Sequence, residues 1–120
     1  MNDCLMGLAE TRFAEIIWEY EPISSKELTE KSLAVLGWKK STAYTVLKRL
    51  CNKGIFKNEN GTVTSLLSKE KFYSLQSEKF VKETFDGSLP AFLTAFTSSK
   101  KLSKEEISHL RKLIEEYEED

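Results

Sequence analysis

Apolar residues recur at helical spacing through the first part of the chain. From Leu5 to Tyr20 they fall three and four positions apart, which is typical of one buried face of an α-helix. Ser24 followed three residues later by Glu27 matches a capping box, in which each residue satisfies a free amide at a helix start. The pattern therefore predicts a second short helix from about Ser25 to Val35, which Gly37 ends.

A third helix and a hairpin are predicted next. Trp38 precedes the helix, either Lys39 or Ser41 is its N-cap, and Gly54 follows its last turn. Its apolar positions are Ala43, Val46, Leu47 and Leu50. Residues 55–57 and 63–67 then flank Asn60-Gly61, and an Asn-Gly pair between two strand-like runs is a strong hairpin signal. Two helices joined by a short turn and followed by a hairpin form a winged helix-turn-helix.

The second half of the chain has helical patterns without a predicted sheet. Helices are expected over residues 68–85, 89–97 and from Ser103, where Glu106 completes another capping box. Their apolar stripes are too large for three isolated helices to bury, so pairing between two chains is predicted. The expected dimerisation residues are Phe72, Leu89, Phe92, Leu93, Phe96, Ile107, Leu110, Leu113 and Ile114.

The predicted fold class is mainly α with a small β-wing. An N-terminal winged helix-turn-helix DNA-binding domain spans residues 1–67, and C-terminal dimerisation helices span residues 68–120. At 120 residues the chain is too short for a large multidomain enzyme.

Charge is distributed unevenly along the chain, although the formal net charge is only -1. From Lys31 to Asn58 there are seven basic residues and no acidic one, whereas the last sixteen residues carry seven acidic residues and two basic ones. The basic stretch includes the third helix, the element that enters the DNA major groove in this type of fold. The predicted DNA-binding residues are Lys39, Lys40, Ser41, Thr42, Tyr44, Thr45, Lys48, Arg49, Lys53 and Lys57. For Lys48 and Arg49, phosphate contacts and plain solvation remain equal alternatives.

The residues needed for catalysis or for metal binding are scarce. Cys4 and Cys51 are too few for a disulfide framework, and His109 is the only histidine. The sequence contains no glycine-rich phosphate loop and no nucleophile with a base at a recognisable spacing. We therefore expect no enzyme, no cofactor and no metal. Apolar runs also fall short of the roughly 20 residues that cross a bilayer, so a cytoplasmic protein with reduced thiols and no membrane insertion is predicted.

The order of motifs resembles the penicillinase-repressor (BlaI/MecI/CopY) family of winged-helix transcriptional repressors. The most specific part is the run Thr-x-x-Thr-x-x-x-Arg-Leu that begins at Thr42 and is followed by Lys53-Gly54. Further likenesses are Ile16-Ile17-Trp18, Trp38, Phe85-Asp86-Gly87-Ser88 and residues 102–107. The resemblance implies a homodimer that binds an inverted-repeat operator in double-stranded DNA, with Thr42 and Thr45 at operator contacts. Relatives often carry Lys or Arg where this chain has Tyr44, which leaves the base preference open.

The resemblance also implies a mode of regulation. In β-lactam-responsive members, a membrane sensor protease acts indirectly to trigger cleavage before a phenylalanine in the first dimerisation helix, and the matching bond here is Ala95-Phe96. Control of antibiotic resistance is the implied role. Copper sensing through a cysteine-rich tail is excluded, because this tail contains no cysteine. The rival interpretation is a winged-helix interaction module that binds another protein and no specific duplex DNA.

Overall fold

The computed structural model describes residues 6–117 of the chain. Cys4 lies outside the described residues. So do Leu5, where the first predicted helix begins, and residues 118–120 of the acidic tail. The helices are α1 (Leu8–Tyr20), α2 (Ser25–Leu36), α3 (Lys40–Asn52), α4 (Lys69–Phe85), α5 (Leu89–Thr97) and α6 (Lys104–Glu116), and the strands are β1 (Ile23–Ser24), β2 (Phe56–Glu59) and β3 (Thr62–Ser65). The chain divides into two compact units, Met1–Glu78 and Lys79–Asp120.

The first unit is a three-helix core with a wing, which confirms the predicted fold class. Its core consists of apolar side chains from α1, α2, α3 and both hairpin strands, most of them with no more than a few per cent of their surface exposed. The largest are Phe13, Ile17, Leu28, Leu50 and Phe56. Burying such side chains is the main favourable contribution to folding, at about 1.5–3 kcal/mol each.

The turn between α2 and α3 forms as the sequence predicts. The Ser24 side chain accepts a hydrogen bond from the Glu27 amide at 3.0 Å and so caps the start of α2. Gly37 ends the helix with a φ of 72°, a left-handed conformation that glycine adopts without steric cost. Trp38 then turns inward and stacks on Phe13, with ring centroids 5.3 Å apart. This stacking orients the following helix, α3, against the core.

The wing is a three-stranded antiparallel sheet with strand order β1-β3-β2. Asn60 and Gly61 form the predicted turn with φ values of 53° and 86°, and the Asn58 side chain accepts a hydrogen bond from the Gly61 amide at 3.0 Å. The sequence did not predict β1, whose two residues pair with Thr62 and Val63. A two-residue strand has no periodicity of its own and exists only because β3 lies beside it.

Helix α4 begins in the core of the first unit. Trp18 donates a hydrogen bond from its indole nitrogen to the Leu67 carbonyl at 3.0 Å, and its ring lies 5.3 Å from Phe56 and 5.7 Å from Phe72. Phe72 is completely buried in this cluster. Its assignment to the dimer interface is therefore corrected, because a side chain already covered by its own chain is not available to a partner. The compact units divide inside α4 and not before it.

The second unit consists of the end of α4 together with α5 and α6. Asp86 and Gly87 break α4 with φ values of 53° and 81°, at the point where the sequence predicted an interruption. Ser103 and Glu106 form the expected reciprocal capping box at the start of α6, with hydrogen bonds of 2.9 and 3.0 Å. Among residues 79–117, none has a fully buried side chain. This unit therefore has contacts between its helices but no closed core.

Ser32 offers a test of the first unit's packing. Its side chain is fully buried in α2, and its hydroxyl has no hydrogen-bond partner among the described residues. Because an unsatisfied buried hydroxyl costs about 1–3 kcal/mol, we expect Ser32→Ala to raise the free energy of unfolding by about 1 kcal/mol in a urea titration. Ser24→Ala, which removes the α2 cap, should lower it by a similar amount. A destabilised Ser32→Ala protein would show that the hydroxyl is satisfied after all.

Candidate nucleic-acid interface

Helix α3 has one buried face and one exposed face. The buried face is formed by the four apolar residues expected from the sequence, Ala43, Val46, Leu47 and Leu50. The opposite face carries the polar residues predicted to contact DNA, all of them exposed: Ser41, Thr42, Tyr44, Thr45, Lys48 and Arg49. An exposed polar face on the second helix of a helix-turn-helix is the surface that enters a major groove.

The start of α3 is electropositive. Lys39 is the N-cap, which decides between the two candidates, and it makes no side-chain capping bond. Lys40 is the first helical residue, and no acidic residue lies in the first turn. The free amide groups and the positive end of the helix dipole add to the two lysine charges. This end of α3 therefore attracts phosphate.

Tyr44 connects α3 to the wing through α2. Its hydroxyl donates a hydrogen bond to the Ser25 hydroxyl at 3.4 Å, and the Ser25 amide in turn donates to the Gly61 carbonyl at 2.8 Å. The Lys40 ammonium lies 6.0 Å from the centre of the Tyr44 ring. Ser25 thus lies between the exposed face of α3 and the tip of the wing, and its two hydrogen bonds connect these elements.

The two threonines of the resemblance motif differ in their local bonding. The Thr45 hydroxyl donates to the Ser41 carbonyl one turn earlier, at 2.9 Å, which leaves its oxygen able to accept and its methyl group exposed. Thr42 makes no side-chain hydrogen bond with any other residue of 6–117. Its hydroxyl is free both to donate to a base edge and to accept from one.

Three of the predicted cations, Lys57, Arg49 and Lys53, have an acidic neighbour. Lys57 projects from the wing and pairs with Glu59 at 3.3 Å, and both side chains are largely exposed. Arg49 forms an ion pair with Glu10 of α1. Lys53 lies close enough to Glu10 for its charge to affect that carboxylate. The two residues at the end of α3 therefore share an acidic neighbour that the local sequence does not contain.

Glu10 is ionised at neutral pH. Partial burial by itself raises the pKa of Glu10, but hydrogen bonds from Arg49 and from the Gly7 amide, together with the charges of Lys53 and Arg49, outweigh it and hold the pKa below its usual value. Sequence reasoning missed Glu10 because it precedes Arg49 by 39 residues, and only the packing of α1 on α3 brings the two together. It also missed Ser25, which has no signal apart from its place after the N-cap of α2.

Cys51 and His109 were also singled out from the sequence, and they lie on α3 and α6. Cys51 is half-buried, and burial raises the pKa of its thiol, which makes the thiolate scarce. His109 lies on α6, and within residues 6–117 no three potential ligands come together in a way that could hold a metal ion. No helix in that range is long and apolar enough to span a membrane.

The proposed dimerisation residues form an apolar surface on the second unit. Leu89, Phe96, Ile107, Leu113 and Ile114 are exposed, whereas Phe92, Leu93 and Leu110 are partly covered. A groove between α5 and α6 is lined by six apolar residues, Phe92, Leu93, Phe96, Leu102, Leu110 and Leu113, and by the polar residues Glu106 and His109. Water-facing leucine and phenylalanine in this number are typical of an uncovered interface.

The first unit has a three-helix core, a third helix with a basic and polar exposed face, and a wing beside it. These features define a winged-helix DNA-binding protein. The model of the penicillinase repressor family matches residues 6–116. The chain therefore belongs to the penicillinase repressor family, whose members are transcriptional repressors and not enzymes. This confirms the resemblance seen in the sequence.

Two curated relatives match over most of their length. The "Penicillinase repressor" of Bacillus licheniformis is 26% identical over 113 residues, covering 91% of this chain and 88% of the relative. The "Methicillin resistance regulatory protein MecI" of Staphylococcus aureus is 26% identical over 110 residues, covering 88% of this chain and 89% of the relative. The similarity extends through both compact units.

Substitutions on the exposed face of α3, at its C-cap and on the wing should separate base recognition from phosphate binding. We expect Thr42→Ala and Tyr44→Ala to change the preference among operator variants by about 1–3 kcal/mol, because each removes an exposed side chain predicted to contact a base edge. Lys53→Gln and Lys57→Gln should instead weaken binding to every duplex and lower the salt dependence by about one counterion each. Gel-shift titrations against a panel of promoter-derived duplexes measure both effects.

Two controls accompany these variants. Tyr44→Phe keeps the ring and removes the hydroxyl with its bond to Ser25, so it separates the contribution of the ring from that of the hydroxyl. Thermal unfolding of each variant checks that the fold is intact. Unchanged operator preference in a destabilised Thr42→Ala protein would mean that α3 is packing and not reading bases.

Proposed function

We propose that the chain is a homodimeric repressor that occupies an inverted-repeat operator in double-stranded DNA. The observation that carries this proposal is the contrast between the two units. The first has a closed core and an exposed basic helix, whereas the described part of the second has apolar helices and no fully buried side chain. One unit is therefore suited to DNA, and the other is suited to a second copy of itself.

The exposed apolar surface supports the homodimer. Leu89, Leu113 and Ile114 have 56%, 60% and 67% of their surface exposed. Obligate dimer interfaces resemble a protein core divided between two chains, and leaving such residues in water forfeits about 25 cal/mol for each Å² of apolar area. A second copy supplies the same helices and so the same apolar surface, which a symmetric interface requires.

A symmetric dimer explains how a small recognition helix gains specificity. Two copies of α3 related by a two-fold axis meet two half-sites about 10 base pairs apart, or a multiple of that spacing. Each copy brings Thr42, Tyr44 and Thr45 to base edges and its lysines to phosphates. Repression then follows from occupancy of the operator in competition with RNA polymerase, and it ends when the dimer dissociates.

The regulated genes are proposed from the two relatives. One is named for penicillinase and the other for methicillin resistance, and both names refer to resistance to β-lactam antibiotics. We assign this chain to the control of such genes or of a related stress response, in the cytoplasm where the DNA is. A membrane sensor protease, acting indirectly, is the proposed partner that starts induction.

Proteolysis at Ala95-Phe96 is the proposed route to induction. Both residues are exposed and lie in the last turn of α5, which ends at Thr97. Helix ends open locally at low free-energy cost, and a protease needs an extended segment. Cleavage there separates α6 from the rest of the chain and removes half of the apolar groove.

The dimer proposal is tested with full-length variants of α6. We expect the wild-type chain to sediment as a dimer at micromolar concentration and to shift a two-fold symmetric promoter duplex. Leu113→Glu should shift the protein towards the monomer and weaken operator binding by about 100-fold, because the second half-site is no longer held by the same molecule. Lys112→Glu is the matched control, since it adds a glutamate on the polar side of α6. A wild-type monomer at this concentration, or a dimeric Leu113→Glu protein, would contradict the proposal.

The cleavage proposal is tested by mass spectrometry of the chain recovered from induced and uninduced cells. We expect induced cells to contain fragments 1–95 and 96–120. Phe96→Leu should remain intact and keep the genes repressed, because it removes the phenylalanine that marks the bond and keeps a large apolar side chain at this position of the groove. Full induction with an uncut chain would show that the dimer is released in another way.

A further inference from the structure

Glu10 is held rigidly beside the end of the recognition helix. One oxygen of its carboxylate accepts a hydrogen bond from the Gly7 amide at 3.2 Å, and the other pairs with the Arg49 guanidinium. The side chain of Glu10 is only 17% exposed, whereas that of Arg49 is 51% exposed. The carboxylate is therefore fixed by α1, and the arginine reaches towards it from α3.

The electrostatic environment keeps this carboxylate charged. Arg49 and Lys53 both lower its pKa, and it lies in the first turn of α1, where the helix dipole favours a negative charge. A residue from outside the acid-free stretch thus places one negative charge at a surface otherwise formed by cations. A phosphate approaching Arg49 has to compete with a partner that is already in position.

The wing provides a contrasting ion pair on the same unit. Lys57 and Glu59 are separated by 3.3 Å, and their side chains are 45% and 70% exposed. An exposed pair of this kind contributes little and is readily exchanged for another partner. Lys57 is therefore free to bind phosphate, whereas Arg49 is retained by a carboxylate that the Gly7 amide holds in place at the start of α1.

We propose that Glu10 is a positioning residue that withdraws Arg49 from phosphate and so limits the sequence-independent part of DNA affinity. This inference rests on the proposed operator binding, and it adds a residue that lowers the affinity for DNA. Because phosphate contacts do not distinguish sequences, the effect should be equal for operator and unrelated duplex. A repressor limited in this way spends less time on non-specific DNA.

The test is Glu10→Gln in the full-length chain. Glutamine at this position of a helix start also bonds back to the preceding amide, so α1 should begin as before. Removing the charge releases Arg49, and one additional phosphate contact in each copy of the dimer makes the slope of log affinity against log salt steeper by about 0.9 per copy, or about 1.8 for the dimer. We expect binding about 40-fold tighter at 50 mM salt and about threefold tighter at 200 mM, for operator and unrelated duplex alike.

Two further variants test whether the gain in affinity comes from the release of Arg49 by Glu10. Glu59→Gln removes the same charge from the exposed wing pair and should change the salt slope by less than half as much. Arg49→Gln should cost more affinity in the Glu10→Gln background than in the wild type, because only there is Arg49 available to phosphate. Thermal unfolding monitored by circular dichroism confirms that each variant is folded.

The outcomes separate this inference from the proposed function. A wild-type chain that fails to bind duplex DNA in a salt-dependent way overturns the proposed function itself. A wild type that binds, together with a folded Glu10→Gln protein of unchanged or weaker affinity, overturns only the role given to Glu10. Equal costs of Arg49→Gln in both backgrounds would do the same.

Discussion

The burial of one face of α3 is the constraint on which the rest of the DNA-binding unit depends. Ala43, Val46, Leu47 and Leu50 contact the core and fix the rotation of the helix about its axis. A rotation that exposed any of them would forfeit about 1–3 kcal/mol of apolar burial per side chain. The polar residues between them are therefore held on the exposed side of the helix. Core packing therefore determines which residues lie on the exposed face of α3, the face that we propose contacts DNA.

The same core also positions the wing and the start of α4. Ile23 pairs with Val63 across the sheet, and Glu21 accepts hydrogen bonds from the Ser65 amide and hydroxyl at 2.8 and 2.9 Å. On the other side, Trp18 lies against Phe56 and the first turns of α4. One helix, α1, thus contacts or adjoins every element of the first unit, and its contact with α3 through Glu10 reaches the proposed DNA surface.

The second unit, unlike the first, has no buried side chain among its described residues. Its aromatic residues contact one another edge to face, as Phe80 and Phe92 do at a centroid distance of 6.1 Å with planes 88° apart. These contacts hold the helices together but leave their apolar side chains partly exposed to water. Two short helices and the end of a third enclose too little volume to bury them. Any partner that covers these apolar faces stabilises the unit. In the homodimer that we propose, the stability of this unit depends on protein concentration, so cleavage or dissociation can end repression.

The sequence by itself determined the helices, the Asn60-Gly61 turn, both capping motifs and the outward face of α3, because these depend on residues within one or two turns of each other. Only the tertiary structure revealed the strand at Ile23, the burial of Phe72 and the pairing of Glu10 with Arg49. Each of these joins segments that are far apart in the chain, and periodicity carries no information about such distances. The local sequence therefore predicted the exposed polar face of α3 and its cations, while long-range packing decided that Arg49 has an acidic partner.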